Sequence, residues 1–134
     1  ALSGQPMLLP GALATVRALA EKFPLALITN GIASVQRRRF AASPISRYFQ
    51  AVVISEEAGV AKPDPRIFQR ALDRLNVSPR ACWFVGDSLD KDIVPARRLG
   101  LRTVWIVSAG KGPRTHPAAD VVIHRLPDVL DVLP

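Results

Sequence analysis

Short apolar runs alternate with longer amphipathic stretches along this chain. "LALIT" (25–29), "AVVIS" (51–55), "ACWFVG" (81–86) and "RTVWIV" (102–107) have strand length and are rich in aliphatic or β-branched residues, and "VVIH" (121–124) is a shorter fifth run. Nearly continuous apolarity of this kind predicts strands buried on both faces. Between them, apolar positions recur at helical spacing. Leu13, Val16, Leu19, Ala20 and Phe23 share one face of a helix over 11–23 that Pro24 ends, and "SVQRRRFAA" (34–42) predicts a second helix. In "KPDPRIFQRALDRLN" (62–76), Asp64 supplies a cap and Pro65 suits the first helical position, while Ile67, Phe68, Ala71, Leu72 and Leu75 form one face. "DIVPARRLG" (92–100) predicts a helix stopped by Gly100, with Pro95 in its first turn, and "PDVLDVL" (127–133) a short closing one. Strands alternating with helices predict an α/β fold: a Rossmann-like, three-layer parallel sheet with helices on both faces.

Composition narrows the class. At 134 residues with 49% hydrophobic residues and a mean hydropathy of +0.17, the chain suits one globular domain over 1–134. No apolar run approaches the roughly 20 residues of a membrane span, and the N-terminus lacks the charged-then-apolar pattern of a leader. "ALSGQPMLLPG", without a starting Met, reads as a place where a longer chain was cut. A single cysteine, Cys82, excludes an internal disulfide and suits the cytoplasm. The net charge of +7 invites nucleic acid as a partner, but only "QRRRF" (36–40) clusters arginines and no aromatics interleave with them, which argues against it.

The candidate chemistry gathers at strand ends, where open parallel sheets place ligands. The runs end in Thr29-Asn30-Gly31, in Ser55-Glu56-Glu57 and in Gly86-Asp87. Asp87 and Asp92, hard oxygen ligands with no His or Cys nearby, suit Mg²⁺, whereas Asp90 reads as a helix cap. Thr29 offers a hydroxyl and Asn30 a backbone N–H, a simple means of holding a phosphoryl oxygen. Lys62, in a proline-flanked loop, could neutralise charge on a transferred phosphoryl group, although alone it reads as a solvated lysine.

Taken together, "ALITNG" (26–31), "GVAKPDPRIF" (59–68) and "VGDSLDKDI" (85–93) resemble motifs II, III and IV of the haloacid dehalogenase-like hydrolases, of the nucleotidase and phosphatase type in subfamily I. The resemblance implies a Rossmann-like fold and Mg²⁺-dependent phosphoryl transfer through an aspartyl-phosphate. It implies that Thr29, Asn30 and Gly31 hold the phosphoryl group and that Lys62 stabilises charge beside it. Asp87 would bind Mg²⁺ directly, and Asp92 directly or through water. The implied substrate is a small phosphorylated metabolite or nucleotide.

The family's motif I, a strand ending in Asp-x-Asp, has no counterpart. "DKD" (90–92) follows no strand and "DVLD" (128–131) lies in the closing helix. The chain is therefore expected to be a core of motifs II to IV without the motif I strand or the cap, and to turn over little or nothing. A missing central strand would leave backbone groups of "LALIT" and "CWFV" unpaired, at roughly 1–3 kcal/mol each if buried. Another chain (a homo-oligomer or strand donor), the N-terminal residues or direct pairing of the two strands is expected to fill the gap. The alternatives are a haloacid dehalogenase, which needs no metal, and a non-catalytic binding module or pseudoenzyme. Trp83 and Trp105 are expected in the core, Arg37, Arg38 and Arg39 on a solvated face, His116 in a solvated loop and His124 in a structural place.

Overall fold

The computed structural model describes residues 2–3, 11–107, 112 and 115–133. Six strands, β1 (Leu2–Ser3), β2 (Ala26–Thr29), β3 (Ala51–Ile54), β4 (Trp83–Gly86), β5 (Arg102–Ile106) and β6 (Val121–Ile123), form one sheet in the order β3-β2-β1-β4-β5-β6. Every pairing is parallel. The helices are α1 (Ala12–Ala20), α2 (Ala33–Ala42), α3 (Ser55–Ala58), α4 (Pro65–Leu75), α5 (Val94–Leu99) and α6 (Val129–Val132). The expected Rossmann-like, three-layer α/β architecture is what the chain adopts.

Alternation along the strands divides the core into two layers. Leu25, Leu27, Val52, Ile54, Val85, Val104 and Ile106 face a cluster completed by Val16, Leu19 and Val129 of α1 and α6. Ala26, Ile28, Ala51, Val53 and Phe84 face the other way, onto Ile67, Phe68, Ala71 and Leu72 of α4 and Ala96 of α5. Phe68 and Phe84 meet edge to face at 5.2 Å across that layer. The α4 boundary follows its sequence signals: Asp64 accepts the Arg66 N–H at 2.9 Å, Pro65 opens the helix, and Asn76 closes it in the left-handed region.

The expected gap is filled by N-terminal residues. Leu2 pairs with Leu27 on one side and Val85 on the other, and Ser3 pairs with Ile28. This central position is also where the strand order reverses, the topological switch point at which such sheets bind ligands.

Several expectations need correcting. The first helix ends at Ala20 rather than 23, because the chain breaks into a turn before Pro24. Asp90 is exposed and caps nothing; Ser88 accepts the Lys91 N–H at 3.2 Å and is the cap of a π-helical turn over Leu89–Ile93. Trp83 and Trp105 are half-buried rather than interior, since each sits on the sheet with a polar neighbour: the Arg102 guanidinium lies over Trp83, and the Trp105 indole donates a hydrogen bond. Much of the 108–120 loop lies outside the described residues.

Candidate active site

β2 and β4, the strands that flank β1, deliver the site at their carboxyl ends. Thr29, the last residue of β2, is buried, with 8% exposure. Its hydroxyl donates to the Asn30 carbonyl at 3.2 Å and accepts from Gln36 Nε2 at 3.0 Å, and the same Gln36 nitrogen donates to the Asn30 carbonyl at 3.1 Å. Asn30 turns its side chain to the loop before α4: Oδ1 accepts the Lys62 N–H at 2.9 Å and Nδ2 donates to the Lys62 carbonyl at 3.2 Å. This two-bond clasp joins residues 32 positions apart. The Gly31 N–H donates to Ser55 Oγ at 2.9 Å, so that amide is engaged within the protein.

Lys62 is not a solvated lysine. Its ammonium donates to Asp92 Oδ1 at 2.8 Å, with side-chain exposures of 7% and 1%. Asp92 Oδ2 accepts the Ser88 N–H at 3.2 Å, so both of its oxygens are engaged. Gly86 makes this placement possible: a Cβ there would stand 2.6 Å from Asp92 Cβ and 2.7 Å from its Oδ2. Asp87, next along, is exposed, and its carbonyl accepts from the Trp105 indole at 3.1 Å. Burial on its protein side pushes the Asp87 carboxyl above its ordinary value, the Asp92 carboxylate pushes the same way, and Lys62 pulls it down.

The structure thus brings Thr29, Asn30, Gly31, Lys62, Asp87 and Asp92 to one end of the sheet, on both sides of β1. It also assigns work to residues outside the expected set. Ser55, Glu56 and Glu57 of α3 brace the neighbouring loop: Ser55 bonds Gly31, Glu56 caps α2 by accepting the Ala33 N–H at 3.0 Å, and Glu57 pairs with Arg37 at 2.5 Å. Ser88 was legible as an N-cap, a serine just ahead of a helical pattern. Gln36 and Trp105 carried no local signal, because each acts on a residue of another element.

Two carboxylates with no nitrogen or sulfur ligand suit Mg²⁺, which takes one or two carboxylates and keeps several waters. Asp87, the more exposed of the two, could offer its carboxylate, and Asp92, already bonded twice, could act behind it. Burial raises the Asp87 carboxyl most and repulsion from Asp92 adds to it; a divalent cation would offset both, so the donor set fits the metal. Among the described residues no group of three His, Cys, Asp or Glu is placed to hold a metal.

Comparison with known proteins adds a separate line of observation. The family description "haloacid dehalogenase-like hydrolase" matches residues 1–100. The chain is 41% identical over 130 residues to glyceraldehyde 3-phosphate phosphatase of Methanopyrus kandleri, covering 92% of the chain and 55% of that protein. It is 43% identical over 82 residues to phosphoserine phosphatase of Thermus thermophilus, covering 61% and 33%. With pyrimidine 5'-nucleotidase YjjG of Escherichia coli it shares 37% over 99 residues, covering 73% and 44%. Among solved structures, a HAD phosphatase from Thermococcus onnurineus superposes with a TM-score of 0.84 at 30% identity, covering 92% of the chain and 56% of its own. The HAD-hydrolase YfnB from Bacillus subtilis, bound to magnesium, gives 0.81 at 26%, covering 92% and 54%. The 2-haloacid dehalogenase from Pseudomonas syringae gives 0.78 at 36%, covering 92% and 51%. The chain spans about half the length of the relatives it matches.

Proposed function

The chain belongs to the haloacid dehalogenase-like hydrolases, and from that premise we propose that it is the core of a Mg²⁺-dependent phosphoric-monoester hydrolase. The observation that carries this reading is the buried Lys62–Asp92 pair at 2.8 Å, with Lys62 tied to Asn30 after β2 and Asp92 to Ser88 after β4, the strands on either side of the central β1. Such a pair is expensive to bury and gains a use where an anion is to be received. The Asn30 clasp fixes the backbone of Lys62 and the Asp92 carboxylate fixes its ammonium, so the lysine is held ready to oppose phosphoryl charge. Thr29 donates its hydroxyl proton to a phosphoryl oxygen. Asp87, with Asp92 behind it, would hold Mg²⁺, which when bound would neutralise part of the phosphate charge.

An aspartyl nucleophile would have to stand at the end of β1, and residues 1–11 contain no Asp or Glu. On this reading the chain binds phosphate but turns over little or no substrate by itself. The same proposal takes residues 1–134 as one core domain, a small phosphorylated metabolite or nucleotide as ligand, and a cytoplasmic setting. The names of the relatives, which specify phosphoserine, glyceraldehyde 3-phosphate and pyrimidine nucleotides, support the ligand class. No helix among the described residues is long and apolar enough to cross a membrane. With β1 supplied from within the chain, the sheet has no need of a donor strand from a second copy.

A second reading, haloacid dehalogenation, is favoured by the 2-haloacid dehalogenase neighbour. The two separate on metal dependence. Titrating inorganic phosphate calorimetrically, with and without millimolar Mg²⁺, is expected to show binding that needs the metal and weakens at least tenfold in Asp87→Asn. Phosphate binding indifferent to both would overturn the metal-dependent reading, and robust hydrolysis of an aryl phosphate by the purified chain would overturn the claim of low turnover.

A further inference from the structure

Gln36 stands outside the residues assigned so far, yet its amide reaches the centre of the site. α2 fully buries none of its ten residues; Ala33 and Phe40 rest on the core, and polar bonds add to them: the Glu56 cap, the Arg37–Glu57 pair and the Gln36 amide. The two N–H bonds of Gln36 Nε2 go to different acceptors, Thr29 Oγ1 at 3.0 Å and the Asn30 carbonyl at 3.1 Å. The Thr29 hydroxyl spends its one proton on that same carbonyl, at the longer distance of 3.2 Å.

This arrangement matters because a hydroxyl has one proton and two lone pairs. With Gln36 donating into one lone pair, the Thr29 proton is directed away from Gln36. With Gln36 also donating to the Asn30 carbonyl, that carbonyl keeps a partner when the Thr29 proton swings off it. A phosphoryl oxygen, an acceptor only, can then take the proton without leaving a polar group unsatisfied, and donation into the hydroxyl strengthens the bond it gives. Gly31 supplies the room: a Cβ at that position would lie 3.0 Å from both Cγ and Nε2 of Gln36, and the backbone there has φ +148°. The glycine of "TNG" therefore serves the ligand indirectly, by letting Gln36 lie across the turn.

We infer that Gln36 is a positioning residue for phosphoryl binding, which primes the Thr29 hydroxyl to donate by holding both that oxygen and the Asn30 carbonyl. The inference rests on the reading of Thr29 as a phosphoryl-binding residue. The test is a double-mutant cycle with inorganic phosphate as the probe, titrated calorimetrically into the chain at saturating Mg²⁺, using Thr29→Val, Gln36→Leu and the two combined. One lost hydrogen bond predicts about fivefold to tenfold weaker binding for each single variant. The combined variant is expected to bind about as weakly as Thr29→Val alone, because Gln36 acts only through the hydroxyl. Gln36→Glu, which cannot donate and draws the Thr29 proton to itself, is expected to weaken binding at least as much as Gln36→Leu. Melting temperatures of the Gln36 variants should stay close to the parent's, since the residue is only half-buried and the helix's core contacts are made by Ala33 and Phe40. Parent-like phosphate affinity in Gln36→Leu would overturn the inference, as would losses that multiply in the combined variant, the signature of a merely structural brace. Parent-like affinity in Thr29→Val would instead overturn the phosphoryl-binding reading of Thr29, and this inference with it.

Discussion

Removing Asp92 should destabilise the fold far more than a surface carboxylate would. In Asp92→Ala the Lys62 ammonium loses its 2.8 Å partner while it remains in a place where its side chain is 7% exposed. Breaking a buried pair in this way costs about 3–5 kcal/mol, most of it the weakened compensation of the charge that stays behind. The Asp87 carboxylate is near enough for Lys62 to perturb it, which places the cost toward the lower end. The Ser88 N–H also loses its acceptor, adding about 1 kcal/mol. The sum is about 4 kcal/mol. For a chain of 134 residues this lowers the melting temperature by about 12–20 °C.

Urea unfolding, followed by the fluorescence of Trp83 and Trp105, reads the loss directly. With an m-value of about 2 kcal/mol/M, the midpoint should fall by about 2 M. The companion variant Lys62→Met/Asp92→Ala removes both charges and should recover more than half of the loss, since a neutral pocket has no stranded ion to solvate. A single-variant loss below about 1 kcal/mol, or a double variant no more stable than Asp92→Ala, would refute the picture of Asp92 as a main support of the buried Lys62 ammonium.

Further outcomes follow from the same geometry. Gly86→Ala forces a methyl to within 2.6 Å of Asp92 Cβ, so it should cost about 1–3 kcal/mol in urea unfolding; parent-like stability would show that Asp92 can move. Deleting residues 1–3 strips the partners from both β2 and β4 at the centre of the sheet, and should lower the melting temperature or raise the mass seen in light scattering as another copy's strand enters. An unchanged, monomeric product would show that β1 contributes nothing. The Arg66 guanidinium and the Arg66 N–H hold the Asp64 carboxyl down at about 2, below its ordinary 3.8. Its contribution to α4 is therefore present above about pH 4 and lost as the pH falls toward 2, so the stability gap between the parent and Asp64→Ala should close over that interval in pH-dependent melts.

The parts of this molecule that were legible in the chain are those whose cause is local. The capped start of α4, the buried strands and the Gly86 turn each depend on neighbours a few residues away, and each appears close to where its signal lies. Lys62 shows the opposite case. Beside two prolines and an aspartate its sequence context is that of a surface loop, and its burial is decided by Asp92, 30 residues later, and by Asn30, 32 residues earlier. Gln36 is similar: on a helix with no fully buried residue nothing marks it, and only the fold lays its amide over Gly31.

β1 is the sharpest instance of a strand that pattern alone does not reveal. Two residues carry no periodicity, and Leu2 and Ser3 lie ahead of a Gly- and Pro-containing stretch that reads as a loop. What makes them a strand is the demand from either side. β2 and β4 must each satisfy an inner edge, and a central vacancy flanked by buried apolar strands is costly enough to recruit whatever backbone can reach it. Backbone pairing requires no particular side chain, so it can be met by residues that bear no carboxylate, whereas covalent chemistry at that position cannot. Leu2 and Ser3 thus complete the sheet by backbone pairing and bear no carboxylate, so the proposed phosphate binding and any turnover are separate properties of this chain, each read by its own assay.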